Sequence, residues 1–141
     1  MSVFVVDASV VIKWFVPEIH REAAGRLLET ADHYLAPDLL FSEIGNAIWK
    51  KVRRKELTSR QGRELAADIS TVAVETVSAR SLFEDAFGVA IATGLTVYDA
   101  MYLALAVRLD TKLITADDRL VRTVASHRMI AGHVQAVQEG I

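Results

Sequence analysis

The chain has 141 residues, 52% of them hydrophobic and 24% charged, with a formal net charge of −2 and no cysteine. That is long and apolar enough for one compact domain spanning residues 1–141, and it argues against disorder. Disulfides, zinc–thiolate sites and cysteine nucleophiles are excluded, and any binding of nucleic acid needs a local basic patch because the net charge supplies no attractive field.

The N-terminal Met1-Ser2-Val3-Phe4 lacks the basic stretch that precedes the apolar segment of a signal peptide. Asp7 and Lys13 break the apolar region short of the ~18 residues a bilayer span needs, so a cytoplasmic protein is the expectation. Val3 to Val6 is a continuous β-branched and aromatic run that reads as a strand covered on both faces. A short helix begins near Ser9 and is bounded by Pro17. Ile19, Ala23, Leu27 and Leu28 recur at helical spacing and predict a helix over 18–31. Tyr34-Leu35-Ala36 makes a brief second strand, and Pro37-Asp38 suits the first turn of a long helix.

Thr58 and Gln61 form a capping-box pattern for a helix reaching about Thr71, and Val72 to Val77 alternates like a third strand. Ser81 and Glu84 make a second capping-box pattern, opening a helix that Gly94 ends. Thr96 caps an apolar helix from Tyr98 to Leu109, hydrophobic nearly all round and therefore central. A strand at Lys112-Leu113-Ile114-Thr115, a helix from Asp117 or Asp118, and a last edge strand at Met129-Ile130-Ala131 complete the pattern. Strands alternating with helices predict a three-layer α/β/α sandwich around a mostly parallel sheet.

Four carboxylates fall where such a sheet places its ligands. Asp7 and Asp117 follow apolar strands, and the crevice beyond the carboxyl ends of the strands is the usual binding site. Asp99 sits in the first turn of the apolar helix, and Glu43 shares a helical face with Asn46. Like-charged acids about 4 Å apart repel by on the order of 4 kcal/mol at an effective dielectric near 20. A cation or a shared proton offsets that repulsion, so the pattern points to a metal site.

The segments V-V-D-A-S at Val5 to Ser9, S-E-I-G-N at Ser42 to Asn46, Y-D-A-M-Y-L-A-L-A at Tyr98 to Ala106 and T-A-D-D-R-L at Thr115 to Leu120 resemble the PIN domain, and within it the VapC-type ribonuclease toxins. The resemblance spans essentially the whole chain in order. It implies catalytic and metal-binding roles for Asp7, Glu43, Asp99 and Asp117, with Ser9, Thr115 and Asn46 in support. Asp118 is an additional acid, leaving the ligand set open between Asp117 and Asp118. A donor set of oxygens alone selects Mg²⁺ or Mn²⁺. The activity implied is hydrolysis of RNA phosphodiester bonds, with Asp7, Asp99 and Asp117 on the metal and Glu43 on a second ion or on the attacking water. A small VapB-type antitoxin and a homodimer follow from the resemblance alone. The competing reading is a PIN-fold RNA-binding or regulatory module without turnover, which has no need of so costly an acidic cluster.

Lys50, Lys51, Arg53 and Arg54 belong to the only dense basic run, either a solvated helix end or an RNA contact. Trp14, Phe15 and Trp49 suit either the core or a partner peptide. His20, His33, His127 and His133 lack ligand spacing and read as surface residues. A serine hydrolase lacks its G-x-S-x-G elbow, a haloacid-dehalogenase-type phosphatase wants an Asp where Ser9 stands, and Lys112 is misplaced for a receiver domain.

Overall fold

A computed structural model of the chain describes residues 3–18, 20–30 and 33–139. Five strands form one parallel sheet: β1 (Val3–Val6), β2 (His33–Pro37), β3 (Glu75–Val77), β4 (Lys112–Thr115) and β5 (Val134–Ala136), in spatial order β3-β2-β1-β4-β5. The helices are α1 (Ala8–Val11), α2 (Arg21–Thr30), α3 (Leu40–Arg53), α4 (Ser59–Ile69), α5 (Ala79–Thr93), α6 (Val97–Arg108) and α7 (Asp118–Ala125). They complete the α/β/α sandwich that the alternating pattern implies.

The sheet order fixes where a site can form. The chain leaves β1 toward β2 on one side, while β4 joins β1 on the other, so the strand order reverses between β1 and β4. Open parallel sheets gape at such a switch point, beyond the carboxyl ends of the strands. The pairing Val5 with Leu113 and Val6 with Ile114 sets the ends of β1 and β4 side by side. Val5, Val6, Leu113 and Ile114 are all buried in the core. Helix α6 lies across β1, β2 and β4, and its Ala100 and Tyr102 through Ala106 are buried, as its all-round apolarity requires.

Local signals explain most boundaries. Thr58 and Gln61 make a reciprocal capping box at α4. Thr96 caps α6 by accepting from the Asp99 N–H at 3.2 Å. Gly94 ends α5 at φ +81°, a left-handed backbone in which a side chain is strained. Trp14 donates from Nε1 to the Ala24 carbonyl at 2.8 Å and meets the Tyr34 ring edge-on, so Trp14 and Phe15 pack against the core. No single helix among the described residues is long and apolar enough to cross a membrane.

Several expectations are corrected. The helix placed over 18–31 begins at Arg21; Ile19 and Ala31 lie outside the described residues. Helix α3 starts at Leu40, because Pro37 still belongs to β2 and Asp38 serves another helix, accepting from the Ala79 N–H at the start of α5. That contact also displaces the second capping box. Helix α5 opens at Ala79, two residues before Ser81, and the Ser81 hydroxyl donates to the Ser78 carbonyl instead of capping. The third strand is confined to Glu75–Val77. The last strand is Val134–Ala136, not Met129-Ile130-Ala131, because pairing with Leu113 through Thr115 requires a residue as buried as Ala136. Met129 is 92% exposed, in the turn before that strand. Met129→Lys should therefore change unfolding free energy by less than about 0.5 kcal/mol. Ala136→Asp should cost on the order of 3 kcal/mol, both measured by urea denaturation.

Candidate active site

Asp7 lies one residue past the end of β1, where its side chain caps α1. Its Oδ1 accepts from the Ser9 hydroxyl at 2.5 Å and from the Val10 N–H at 3.3 Å. Its Oδ2 accepts from the Thr115 hydroxyl, at the end of β4. Ser9 in turn accepts from the Ala116 N–H at 3.0 Å, and Thr115 from the Asp117 N–H at 3.0 Å. Thr115 is fully buried, so its hydroxyl has no water to turn to and is committed to the carboxylate. The clasp ties β1 to β4 through side chains where their pairing ends.

Burial pushes the Asp7 carboxyl up to about 6, against the three hydrogen bonds from Ser9, Thr115 and Val10; the Asp117 charge pushes it further up. Asp99, in the first turn of α6, is raised by burial and by Asp117, while Thr96 and the Arg119 charge oppose. Glu43, on α3, is raised by burial and by Asp99, opposed by a hydrogen bond from Tyr102. The four acids thus share one field: Asp7 with Asp117, Asp117 with Asp99, Asp99 with Glu43. Asp117 caps α7, its Oδ1 accepting from the Arg119 and Leu120 N–H groups at 3.0 and 3.2 Å.

The other sequence candidates have their recorded partners outside this group of acids. Asp118 is exposed and accepts from Gln138 at 3.3 Å, and the electrostatic coupling runs through Asp117, not Asp118. Asn46 is exposed on α3, one turn beyond Glu43. Of the basic run, Lys51 is drawn to Glu18 at 3.7 Å, which also pairs with the buried Lys13 at 3.4 Å. Arg53 lies over the half-exposed Trp49 ring at 5.1 Å. Tyr102 escaped the sequence reading. Its hydroxyl donates to Glu43 Oε1 at 2.6 Å, and the available signal was its position three residues after Asp99, on the same helical face.

Among the described residues, no three His, Cys, Asp or Glu side chains are grouped as the ligands of one ion. The site is an open cluster of coupled carboxylates, not a closed cage. Its chemistry fits Mg²⁺ or Mn²⁺: the donors are all oxygen, and burial plus mutual repulsion make the ionised carboxylates costly, a cost that a cation offsets. Mg²⁺ ordinarily takes one or two carboxylates and keeps several waters, which an open cluster permits.

A strand-end acid held by two hydroxyls, beside further acids at helix starts, defines an acidic cluster at one end of a parallel α/β sandwich. The PIN domain pattern matches residues 4–125, and the chain belongs to that family. It is 36% identical over 118 residues to Ribonuclease VapC3 of Pyrobaculum aerophilum, covering 82% of this chain and 90% of the relative. A crystal structure from Pyrobaculum aerophilum superposes with a TM-score of 0.71 at 23% identity, covering 98% of this chain and 85% of that one. A toxin–antitoxin complex from Klebsiella pneumoniae gives 0.67 at 16% identity, covering 97% and 98%.

The raised acids set a pH dependence. A folded-state proton held more tightly than in the unfolded chain makes stability fall as pH rises between the two pKa values. In EDTA, stability should drop between pH 4 and pH 6, Asp7 alone accounting for on the order of 2–3 kcal/mol at about 1.4 kcal/mol per unit. Asp7→Asn should remove most of that slope in urea titrations at a series of pH values.

Proposed function

We propose that this protein is a metal-dependent endoribonuclease that hydrolyses RNA phosphodiester bonds, and that it is the toxin of a VapBC-type toxin–antitoxin pair. The observation that carries the reading is the Asp7 clasp: a half-buried carboxylate fixed by Ser9 and Thr115 within the field of Asp117, in a chain of the PIN family similar to a named ribonuclease. A binding module without turnover has no use for a carboxylate kept under that electrostatic load.

Asp7, Asp99 and Asp117 are the residues proposed to hold Mg²⁺ or Mn²⁺, with Glu43 serving a second ion or the attacking water. When bound, the metal supplies charge neutralisation at the phosphate and a water of lowered pKa. The chain itself does the rest. Ser9 and Thr115 fix the direction of the Asp7 carboxylate. The starts of α1, α6 and α7 lie beside Asp7, Asp99 and Asp117, and the positive ends of α6 and α7 moderate the acidic field where a phosphate must approach. Glu43, held by Tyr102, orients a water at the edge of the cluster.

RNA is proposed to run along α3. On a helix of 3.6 residues per turn, Lys50 and Arg54 point within about 20° of the Glu43 direction, roughly 10 and 16 Å farther along the axis. A small antitoxin protein is the proposed inhibitory partner, supported by similarity to the toxin–antitoxin complex. A homodimer is also proposed. Phe83, Phe87 and Ile91 form an exposed i, i+4, i+8 stripe on α5 that a second copy would cover isologously. One domain over residues 1–141 and a cytoplasmic location complete the proposal.

Asp7→Asn should reduce Mn²⁺-dependent cleavage of structured RNA at least 10²-fold while leaving the circular dichroism spectrum unchanged; EDTA should have the same effect on the unmodified protein. Mn²⁺-dependent cleavage retained by Asp7→Asn would refute the assignment. Lys50→Glu and Arg54→Glu should each weaken RNA binding and lower the salt-dependence slope by about 1, read by fluorescence anisotropy. Lys51→Glu should change that slope least of the three, because Lys51 already pairs with Glu18.

A further inference from the structure

We infer that Tyr102 is a positioning residue for Glu43, fixing one oxygen of that carboxylate so that the other is presented to the shared acidic cluster. The inference rests on the nuclease reading above and assigns a function to a residue outside the acidic quartet.

The geometry carries it. Tyr102 sits on α6, one helical turn after Asp99, with its ring buried at 2% exposure in the core. Its hydroxyl reaches Glu43, 59 residues away in sequence and on a different helix, at 2.6 Å. Helix α6 packs chiefly on α5 and the sheet, whereas α3 packs on α4 and α1, and side chains of both enter the same core cluster. The hydrogen bond is a polar link between α6 and α3 that fixes the end of the Glu43 side chain.

A glutamate side chain has three rotatable bonds, and ordering it costs up to about 2 kcal/mol in rotamer freedom. A donor on an immobile ring holds it in one arrangement before any metal or RNA arrives. Oε1 is occupied by Tyr102, and among the described residues Oε2 takes no hydrogen bond from the protein. Oε2 is thus the oxygen left to act. A buried tyrosine hydroxyl needs some acceptor, and a backbone carbonyl of its own layer would satisfy it. Here the acceptor is instead the Glu43 carboxylate, on a different helix.

Tyr102→Phe deletes the hydroxyl and keeps the ring. The expected result is Mn²⁺ affinity weakened about 10–100-fold by isothermal titration calorimetry, in the range for loss of a partner that orients a metal ligand. In RNA cleavage, kcat should fall over a similar range with KM for RNA within twofold, and excess Mn²⁺ should restore much of the rate. Glu43→Gln combined with Tyr102→Phe should be no more impaired than Glu43→Gln alone. If Tyr102→Phe does not fold, 3-fluorotyrosine at position 102, which keeps the ring and makes the hydroxyl a stronger donor, decides the matter: a shifted Mn²⁺ affinity supports the inference and an unshifted one overturns it. Unaltered Mn²⁺ affinity and kcat in Tyr102→Phe, with Asp7→Asn inactive, would overturn the inference and leave the nuclease reading standing. Cleavage by Asp7→Asn at the unmodified rate would remove the nuclease reading itself.

Discussion

One carboxylate organises the acidic end of this fold. Asp7 is placed beyond the last residue of β1 by a strand whose β-branched residues belong inside a parallel sheet, and it cannot be solvated as a surface acid would be. The protein answers with hydroxyls, not with a basic residue: Ser9 from the following turn and Thr115 from the neighbouring strand take both oxygens. Hydroxyls orient a carboxylate without cancelling its charge. An arginine in the same place would have made a stable ion pair and closed the site to any other cation. The arrangement holds a negative charge in readiness, at a continuing cost in stability.

The parallel sheet supplies the geometry for this. With β4 beside β1, the loops leaving the two strands open toward each other, and each enters a helix whose first residues need caps. Asp7 caps α1 and Asp117 caps α7, so two acids with ordinary structural duties become neighbours in space. Asp99 begins α6 at the same end of the sheet, and α3 brings Glu43 from the side. Capping a helix does not exclude the catalytic role proposed for these acids. The cap at α7 engages Oδ1 of Asp117, whereas Asp7 has both oxygens engaged and keeps only its remaining lone pairs for a hydrated cation.

Much of this was legible in the sequence because the signals were local. Val3 to Val6, the Thr58–Gln61 capping box, Thr96 and Gly94 act through neighbours within a few residues, and each marks its element correctly. The misplacements arose where a distant partner overrode a local preference. Asp38 looks like the start of the next helix yet caps α5, 41 residues later in the chain. Met129-Ile130-Ala131 is more apolar than Val134-Gln135-Ala136, but only the latter can pair with β4 from the turn at 131–133. The acids could be read as a set from their places at strand ends and helix starts, whereas their openness as a group could not. Tyr102 was hidden inside an apolar helix, where a tyrosine reads as core until its hydroxyl is seen to cross to α3. Lys51 likewise belonged to a basic run until Glu18, far off in sequence, was found beside it.

The proposed chemistry requires a cation beside the Asp7 clasp. Anomalous scattering from crystals soaked in Mn²⁺ tests this most directly. A manganese peak is expected against the Asp7 carboxylate, on the side of Asp99 and Asp117. Crystals saturated with Mn²⁺ that show no peak there, or an ion bound only elsewhere on the protein, would contradict the proposed chemistry.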